Sequence, residues 1–490
     1  MADKFKNLLE DVSNRRLSRR SALVRAAAGG AAVSAAGLGW KTTAAQESTP
    51  VAISGGFVEG DDLIEPEVRA SKDGVLETTL TAKLSTTTVA GTEVTALVYD
   101  GMFPGPTMKF KSGDTVRVNV VNGLDEMTNF HSHGFHVSPG GNSDNIFVMI
   151  EAGKSFQYEY KIPENHTPGL YWYHPHPHGI SEGQVAGGLA GVFVNTGGLD
   201  ELPGIAGLKE RLIMIQATQF GNDGVVLGPD DQSVSSQLHL INGQLRPVIR
   251  MQPGETQRWR IANISAGNIY NIGLESHALN QIADDANPYD KVQPTYSVVL
   301  GPGERVEVLV QARTQPGTYE LRNVLWGDGF QAMPDFLLAS VVIEGDPITP
   351  APMPTDLIPF EDLSTLTVDK QRTITFSIVG SPAKFEIDGK LFDPNRVDQT
   401  VQLNALEEWV IQNNSVDWHP FHIHVNDFQV VAINHEPITA HSYEDTYMVP
   451  PHGGSITMRS RFLDFKGKYV YHCHILFHED HSMMGVVEVV

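Results

Sequence analysis

A chain of 490 residues is longer than one hydrophobic core organises, so two to four domains of roughly 100–200 residues are expected. Its hydrophobic fraction of 41% and charged fraction of 19% are those of globular protein, and no stretch reaches the ~20 consecutive apolar residues of a membrane-spanning helix. The net charge of -23 argues against a nucleic-acid partner, whose phosphates need a basic face, and suits neutral or cationic partners, metal ions included.

The amino-terminal segment carries Ser18-Arg19-Arg20-Ser21-Ala22-Leu23, a weakly apolar run from Ala26 to Trp40, and the small residues Thr43-Ala44-Ala45. This order resembles a twin-arginine export signal spanning residues 1–45. It implies handling by the twin-arginine translocation machinery and a periplasmic or extracellular destination. A basic surface helix is the alternative.

Beyond residue 45 the chain reads as short alternating strands punctuated by Gly, Pro, Asn and Asp, as in Asp114 to Asn122, Ser155 to Ile162 and Arg305 to Ala312. Helical periodicity is scarce, so the expected class is all-β, built of sandwiches or barrels. One pattern occurs three times: Arg117-Val-Asn-Val-Val-Asn122, Arg258-Trp-Arg-Ile-Ala-Asn263 and Glu408-Trp-Val-Ile-Gln-Asn413. Each copy follows a hairpin-type dipeptide, Asp100-Gly101, Asn242-Gly243 or Asp388-Gly389. The copies recur at roughly 140–150 residues, the size of one sandwich domain. Gly197 to Gly204 and the Pro-rich stretch Asp346 to Asp356 fall where linkers belong. Three domains are therefore expected, at 46–198, 199–350 and 351–490.

Histidine carries the chemistry. Of 19 histidines, five pairs are spaced i, i+2, at 131/133, 174/176, 176/178, 422/424 and 472/474, where random placement gives roughly one or fewer. Alternate side chains share one face of a strand, so each pair can present two imidazoles together. Imidazole suits copper, zinc and iron alike. The single cysteine, Cys473, narrows the choice, since it excludes an intramolecular disulfide and lies between His472 and His474. On an extended strand its thiolate points to one face and the two imidazoles to the other, so one tripeptide can join two metal sites. Cys473 with His478, a distant histidine and a weak axial Met483 matches the trigonal blue-copper set.

Four motifs, His131-Ser-His133-Gly134, Trp172-Tyr-His174-Pro-His176, His419-Pro-Phe-His422-Ile-His424 and His472-Cys473-His474-x3-His478-x4-Met483, resemble the multicopper oxidase family across essentially the whole chain after the signal. The resemblance implies three cupredoxin-like Greek-key domains of β-sandwich or barrel form. It also implies four copper ions. The type 1 copper would be held by His419, Cys473, His478 and Met483, the type 2 copper by His131 and His422, and the type 3 pair by His133, His174, His176, His424, His472 and His474. The trinuclear ligands then come from the first and third domains, with the middle domain acting as spacer and scaffold.

The implied activity is that of a laccase: one-electron oxidation of phenols or aromatic amines, coupled to four-electron reduction of dioxygen to water. Electrons would pass inward at His478. Glu479 matches the family's acidic residue beside the trinuclear site, and Asp144 resembles a second one, with a turn-capping role as its alternative. A cuprous-ion oxidase serving copper tolerance is the competing activity, although the 13 methionines are scattered rather than clustered. A copper nitrite reductase is disfavoured by His474 and the third domain, and a copper-free structural relative by the filled ligand positions. His178 and His481 match no ligand position, and Trp172, Tyr173 and Trp418 are expected to pack around the sites.

Overall fold

The computed structural model describes residues 60–228, 237–327 and 331–490. The export-type signal lies outside the described residues. Six sheets fall into three successive pairs, and the pairs share one plan. In the first sheet of each pair the strand bearing the repeated motif runs parallel to an earlier strand: Thr115–Asn122 beside Val75–Val89, Thr256–Asn263 beside Lys209–Thr218, and Leu406–Asn413 beside Lys370–Val379. In the second sheet the closing strand runs parallel to a short early one: Gly191–Thr196 beside Thr107–Lys111, Phe336–Ile343 beside Val248–Met251, and Met484–Val489 beside Gln399–Val401. The internal repeat is thus a repeat of topology, and the all-β expectation holds.

The alternating patterns bury as strands should. Thr115–Asn122 alternates half-buried and buried positions along its length, so Val116, Val118 and Val120 enter the core while Arg117 and Asn119 face outward. Each sandwich has its own core, centred on Val118, Phe130 and Tyr173 in the first, on Ile261, Ile272 and Val308 in the second, and on Trp409, Phe421 and Tyr471 in the third.

The hairpin dipeptides occupy left-handed backbone at both residues: φ is 54° and 85° at Asp100-Gly101, 52° and 76° at Asn242-Gly243, and 53° and 71° at Asp388-Gly389. This is the twist a two-residue hairpin requires. In each, the Asp or Asn side chain accepts the same bond from the neighbouring strand, from Thr81 N, Met214 N and Thr375 N.

The sandwiches meet through apolar seams rather than through loose tethers. Leu170, Trp172 and Val192 of the first pack on Leu212, Met214 and Ile264 of the second. Ile146 of the first packs on Val470, Met484 and Val486 of the third. Both connecting stretches pack on the middle sandwich: Leu199 and Leu202 from one and Met353 from the other join a cluster with Tyr289 and Leu309. Among the described residues no helix is long and apolar enough to cross a membrane.

Candidate metal centre

The first centre lies inside the third sandwich. Cys473 ends the strand Gly467–Cys473, and His419 opens the adjacent antiparallel strand His419–Ile423. His478 follows on a one-turn helix, Leu476–Asp480. Cys473 Sγ is 3.2 Å from His419 Nδ1 and 3.5 Å from His478 Nδ1, and the two imidazole nitrogens are 3.1 Å apart. Met483 is fully buried in the same core cluster, its carbonyl accepting from Cys473 N. The remote nitrogen of His419 lies 2.6 Å from Ser415 Oγ, which fixes the ring and leaves Nδ1 for a metal. Ser415 is set in turn by Asn413, the last residue of the repeated motif, whose side-chain oxygen accepts from both Ser415 N and Ser415 Oγ.

The second centre lies between the first and third sandwiches. His131 and His133 form the short strand His131–His133, paired with the strand Gly169–His174. The other pairs straddle strand ends: His174 and His472 sit at the close of a strand or one residue before it, and His176, His424 and His474 lie just beyond. Strand alternation alone therefore places only the 131/133 pair, and the turns after the strands complete the ring. Across the seam, His133 Nδ1 is 3.2 Å from His474 Nε2 and His176 Nε2 is 3.1 Å from His472 Nε2, and within the third sandwich His472 Nε2 is 3.4 Å from His424 Nε2. His131 stacks on His424 at 3.9 Å and His133 on His422 at 3.8 Å between ring centres.

All eight imidazoles are buried. Desolvation and mutual repulsion hold His131, His133, His176, His424 and His474 well below the usual imidazole range, so they are neutral with free lone pairs. His131 Nε2, His174 Nε2 and His422 Nε2 have no hydrogen-bond partner. Buried polar atoms without partners are costly unless something else ligates them. Three groups, His131/His133/His422, His133/His174/His474 and His176/His424/His472, each bring their nitrogens within 4.8 Å of one another, as does His419/Cys473/His478. The donor set fits copper: soft thiolate with imidazoles at one centre, imidazoles alone at the other.

The outward nitrogens are held by carbonyls and carboxylates. His174 Nδ1 is 2.9 Å from Pro175 O, and His472 Nδ1 is 2.9 Å from Cys473 O. His131 Nδ1 is 3.0 Å from both carboxylate oxygens of Asp144, which also accepts from Ser132 N and Ser132 Oγ. Asp144 thus faces the histidines and does not cap a turn. Burial pushes its carboxyl up to about 7, against the opposing Ser132 bonds. Glu479 is fully buried with neither oxygen at hydrogen-bonding distance of a partner, and its Oε1 is 3.6 Å from His176 Nδ1. Burial drives its carboxyl well above the usual range.

His178 stands 4.0 Å from the same oxygen but is partly exposed, while His481 is exposed and rests on Phe477. Trp172 stacks on His174 at 4.1 Å, and the Tyr173 hydroxyl donates to Pro106 O. Trp418 lies beside Trp326. Two residues escape sequence reasoning. Asp445 touches His133 at 2.9 Å through Oδ1 and His422 Nδ1 at 2.8 Å through its carbonyl, and Arg305 forms a two-pronged ion pair with it. Burial opposes its charge, but the Arg305 guanidinium holds the Asp445 carboxyl well below the usual range. Neither residue lies in a motif, so no local signal marks them.

Three multicopper oxidase family models match residues 81–197, 221–340 and 361–490. A multicopper oxidase of Staphylococcus haemolyticus is 28% identical over 446 residues, covering 88% of this chain and 92% of its own. A laccase of Bacillus stratosphericus is 26% identical over 475 residues, covering 80% and 90%. Among solved structures, a multicopper oxidase from Campylobacter jejuni, described as a metallo-oxidase, superposes with a TM-score of 0.77 at 28% identity, covering 88% of this chain and 96% of that one. A laccase-like CueO from Ochrobactrum sp. gives a TM-score of 0.75 at 27% identity, covering 87% and 100%. The family models span each of the three sandwiches and both histidine centres in turn, and this chain belongs to the multicopper oxidase family, a copper-dependent oxidoreductase of laccase type.

Proposed function

We propose that the chain is a laccase-like oxidase of phenols and aromatic amines, with domains at 46–198, 199–350 and 351–490. The type 1 ligands are His419, Cys473, His478 and Met483, the type 2 ligands His131 and His422, and the type 3 ligands His133, His174, His176, His424, His472 and His474. The observation that carries this reading is the position of Cys473. Its sulfur faces His419 and His478, while its two neighbours in sequence stand in the ring of eight histidines. Copper, once bound, supplies one-electron uptake at the thiolate site and reduction of dioxygen to water at the other.

The protein's part is geometric. His478 is buried but the most accessible ligand of the first centre, at 8% accessibility, and the rings of Phe385 and Phe477 lie against it. Phe385 stacks on it at 4.9 Å and 25°. Aromatic walls beside the electron port support an aromatic donor. The peptide linking Cys473 to His472 and His474 gives a short covalent path inward. Glu479 and Asp144 are the two carboxyl groups placed to pass protons to the second centre. The chain is exported, to the periplasm or beyond, in this reading.

The likeness to a protein described as a metallo-oxidase supports a second activity, oxidation of cuprous or another metal ion. Copper stoichiometry with absorption and resonance spectra tests the centres: four copper ions with a blue thiolate band are expected, and a loaded protein without that band sinks the assignment. Parallel rates decide the donor, since turnover on cuprous ion far above that on phenols would reverse the preference.

A further inference from the structure

We infer that the middle sandwich, which offers no ligand, sets the geometry of the trinuclear centre through Arg305, a positioning residue that locks Asp445 against His133 and His422. The inference rests on the ligand reading proposed above and extends it to a domain that reading leaves idle.

Arg305 opens the strand Arg305–Gln311 and is buried to 1%. Its Nη1 and Nη2 donate to the two carboxylate oxygens of Asp445 at 2.8 and 2.6 Å, Nη1 also donates to Gly303 O at 3.0 Å, and Nε donates to Leu170 O at 3.2 Å. Nη1 lies 3.1 Å from Asp285 Oδ1 as well. Asp285, also in the middle sandwich, accepts from Arg305 N through Oδ1 and from Asp445 N and Thr446 N through Oδ2. Both the backbone and the side chain of Asp445 are therefore held from the middle sandwich. On its other side, Asp445 Oδ1 meets His133 Nε2 at 2.9 Å and its carbonyl meets His422 Nδ1 at 2.8 Å. The Thr446 hydroxyl stands 3.2 Å from each of these nitrogens and donates to Asp445 Oδ1.

One guanidinium thus ties together a carbonyl of the first sandwich, a carboxylate of the second and one of the third, directly behind two rings that stack 3.8 Å apart across the seam. A planar guanidinium can grip both oxygens of a carboxylate at once, and an ammonium cannot. The same clamp accounts for Gly134, which closes the first histidine motif. A Cβ there would lie 2.5 Å from Asp445 Oδ2 and 2.7 Å from Arg305 Nη2, and φ is +86°. The loop before Arg305 completes the contact, since a Cβ at Gly303 would stand 3.0 Å from the ring of His474.

Outer partners of metal-binding histidines typically govern affinity by about 10- to 100-fold. The test loads the full-length chain, wild type, Arg305→Lys and Arg305→Met, with copper and titrates it against a chelator. Copper retained by each centre is read from the blue thiolate band and from the resonance signal of the type 2 copper. The expected result is selective: the blue centre keeps its wild-type affinity, while the trinuclear centre weakens by about 10- to 100-fold in Arg305→Met and by less in Arg305→Lys. If both centres weaken together, or neither does, Arg305 is a general structural residue and the inference fails. Should Arg305→Met not fold, Arg305→Lys alone decides, because it keeps the charge and loses only the two-pronged grip. A wild-type protein that takes no trinuclear copper overturns the ligand reading itself, an outcome visible before any variant is made.

Discussion

Cys473 sits where two environments meet. Its side chain is fully buried in the core of the third sandwich, and burial drives the thiol pKa far above its ordinary value. A free thiol in that position is inert, so only a bound cation makes a thiolate reasonable there. Replacing Cys473 with Ser removes a soft ligand but almost no volume. The expected outcome is loss of the blue band and of donor oxidation, with the trinuclear copper retained, as read by copper counting and resonance spectra. Loss of all copper would mean that the two centres assemble as one unit.

The repeated motif shows what an element can carry. Asn122, Asn263 and Asn413 each end a strand, are fully buried, and bond the chain on both sides. The amide of Asn122 donates to Glu126 O and Ile150 O, that of Asn263 to Asn268 O and Leu300 O, and that of Asn413 to Asp417 O and Val449 O. Each side-chain oxygen accepts the backbone N–H two residues on. In the first and third sandwiches the loop so pinned leads to His131 and His419. In the second it leads to Tyr270 and no ligand, so Asn263→Ala isolates the structural part. Several buried backbone groups lose partners there, and a loss of about 1–3 kcal/mol of stability is expected by urea denaturation. An unchanged unfolding midpoint would show that water replaces the side chain. The period-two pattern, the hairpin dipeptides and the terminal Asn were all legible in the sequence because each is a local rule. The turns after residues 174 and 473 were not, because a histidine just past a strand end is aimed by its tertiary neighbours rather than by alternation.

At the scale of the molecule, what sequence could not reveal is how the sandwiches hold one another. Arg305 and Asp445 are ordinary charged residues in ordinary strands until the fold sets them together across 140 positions. Within the middle domain, too, distant residues meet: Asp200 in the turn Gly198–Glu201 accepts from Arg258 Nη1 at 2.5 Å and Arg260 Nη2 at 2.7 Å. Burial opposes ionisation of Asp200, but Arg260, the Gly197 N–H and Arg258 outweigh it and its pKa is lowered. A carboxyl whose folded pKa is depressed stabilises above its unfolded value, about 3.9, and loses that contribution as pH falls through the folded value. The thermal midpoint of the wild type should therefore exceed that of Asp200→Asn by a constant margin above about pH 5, with the margin shrinking progressively below about pH 4. A margin independent of pH down to strong acid would assign the effect to hydrogen bonding alone.

The seam that gathers eight histidines has a further consequence, one of timing. His133 and His474, which face each other at 3.2 Å, are separated by 341 positions. During synthesis His131, His133, His174 and His176 are made well before His472 and His474. A fragment that stops before the strand Gly467–Cys473 lacks His472 and His474, holds six of the eight imidazoles and cannot close the ring. The ring therefore closes only once the first and third sandwiches have both been made and have met.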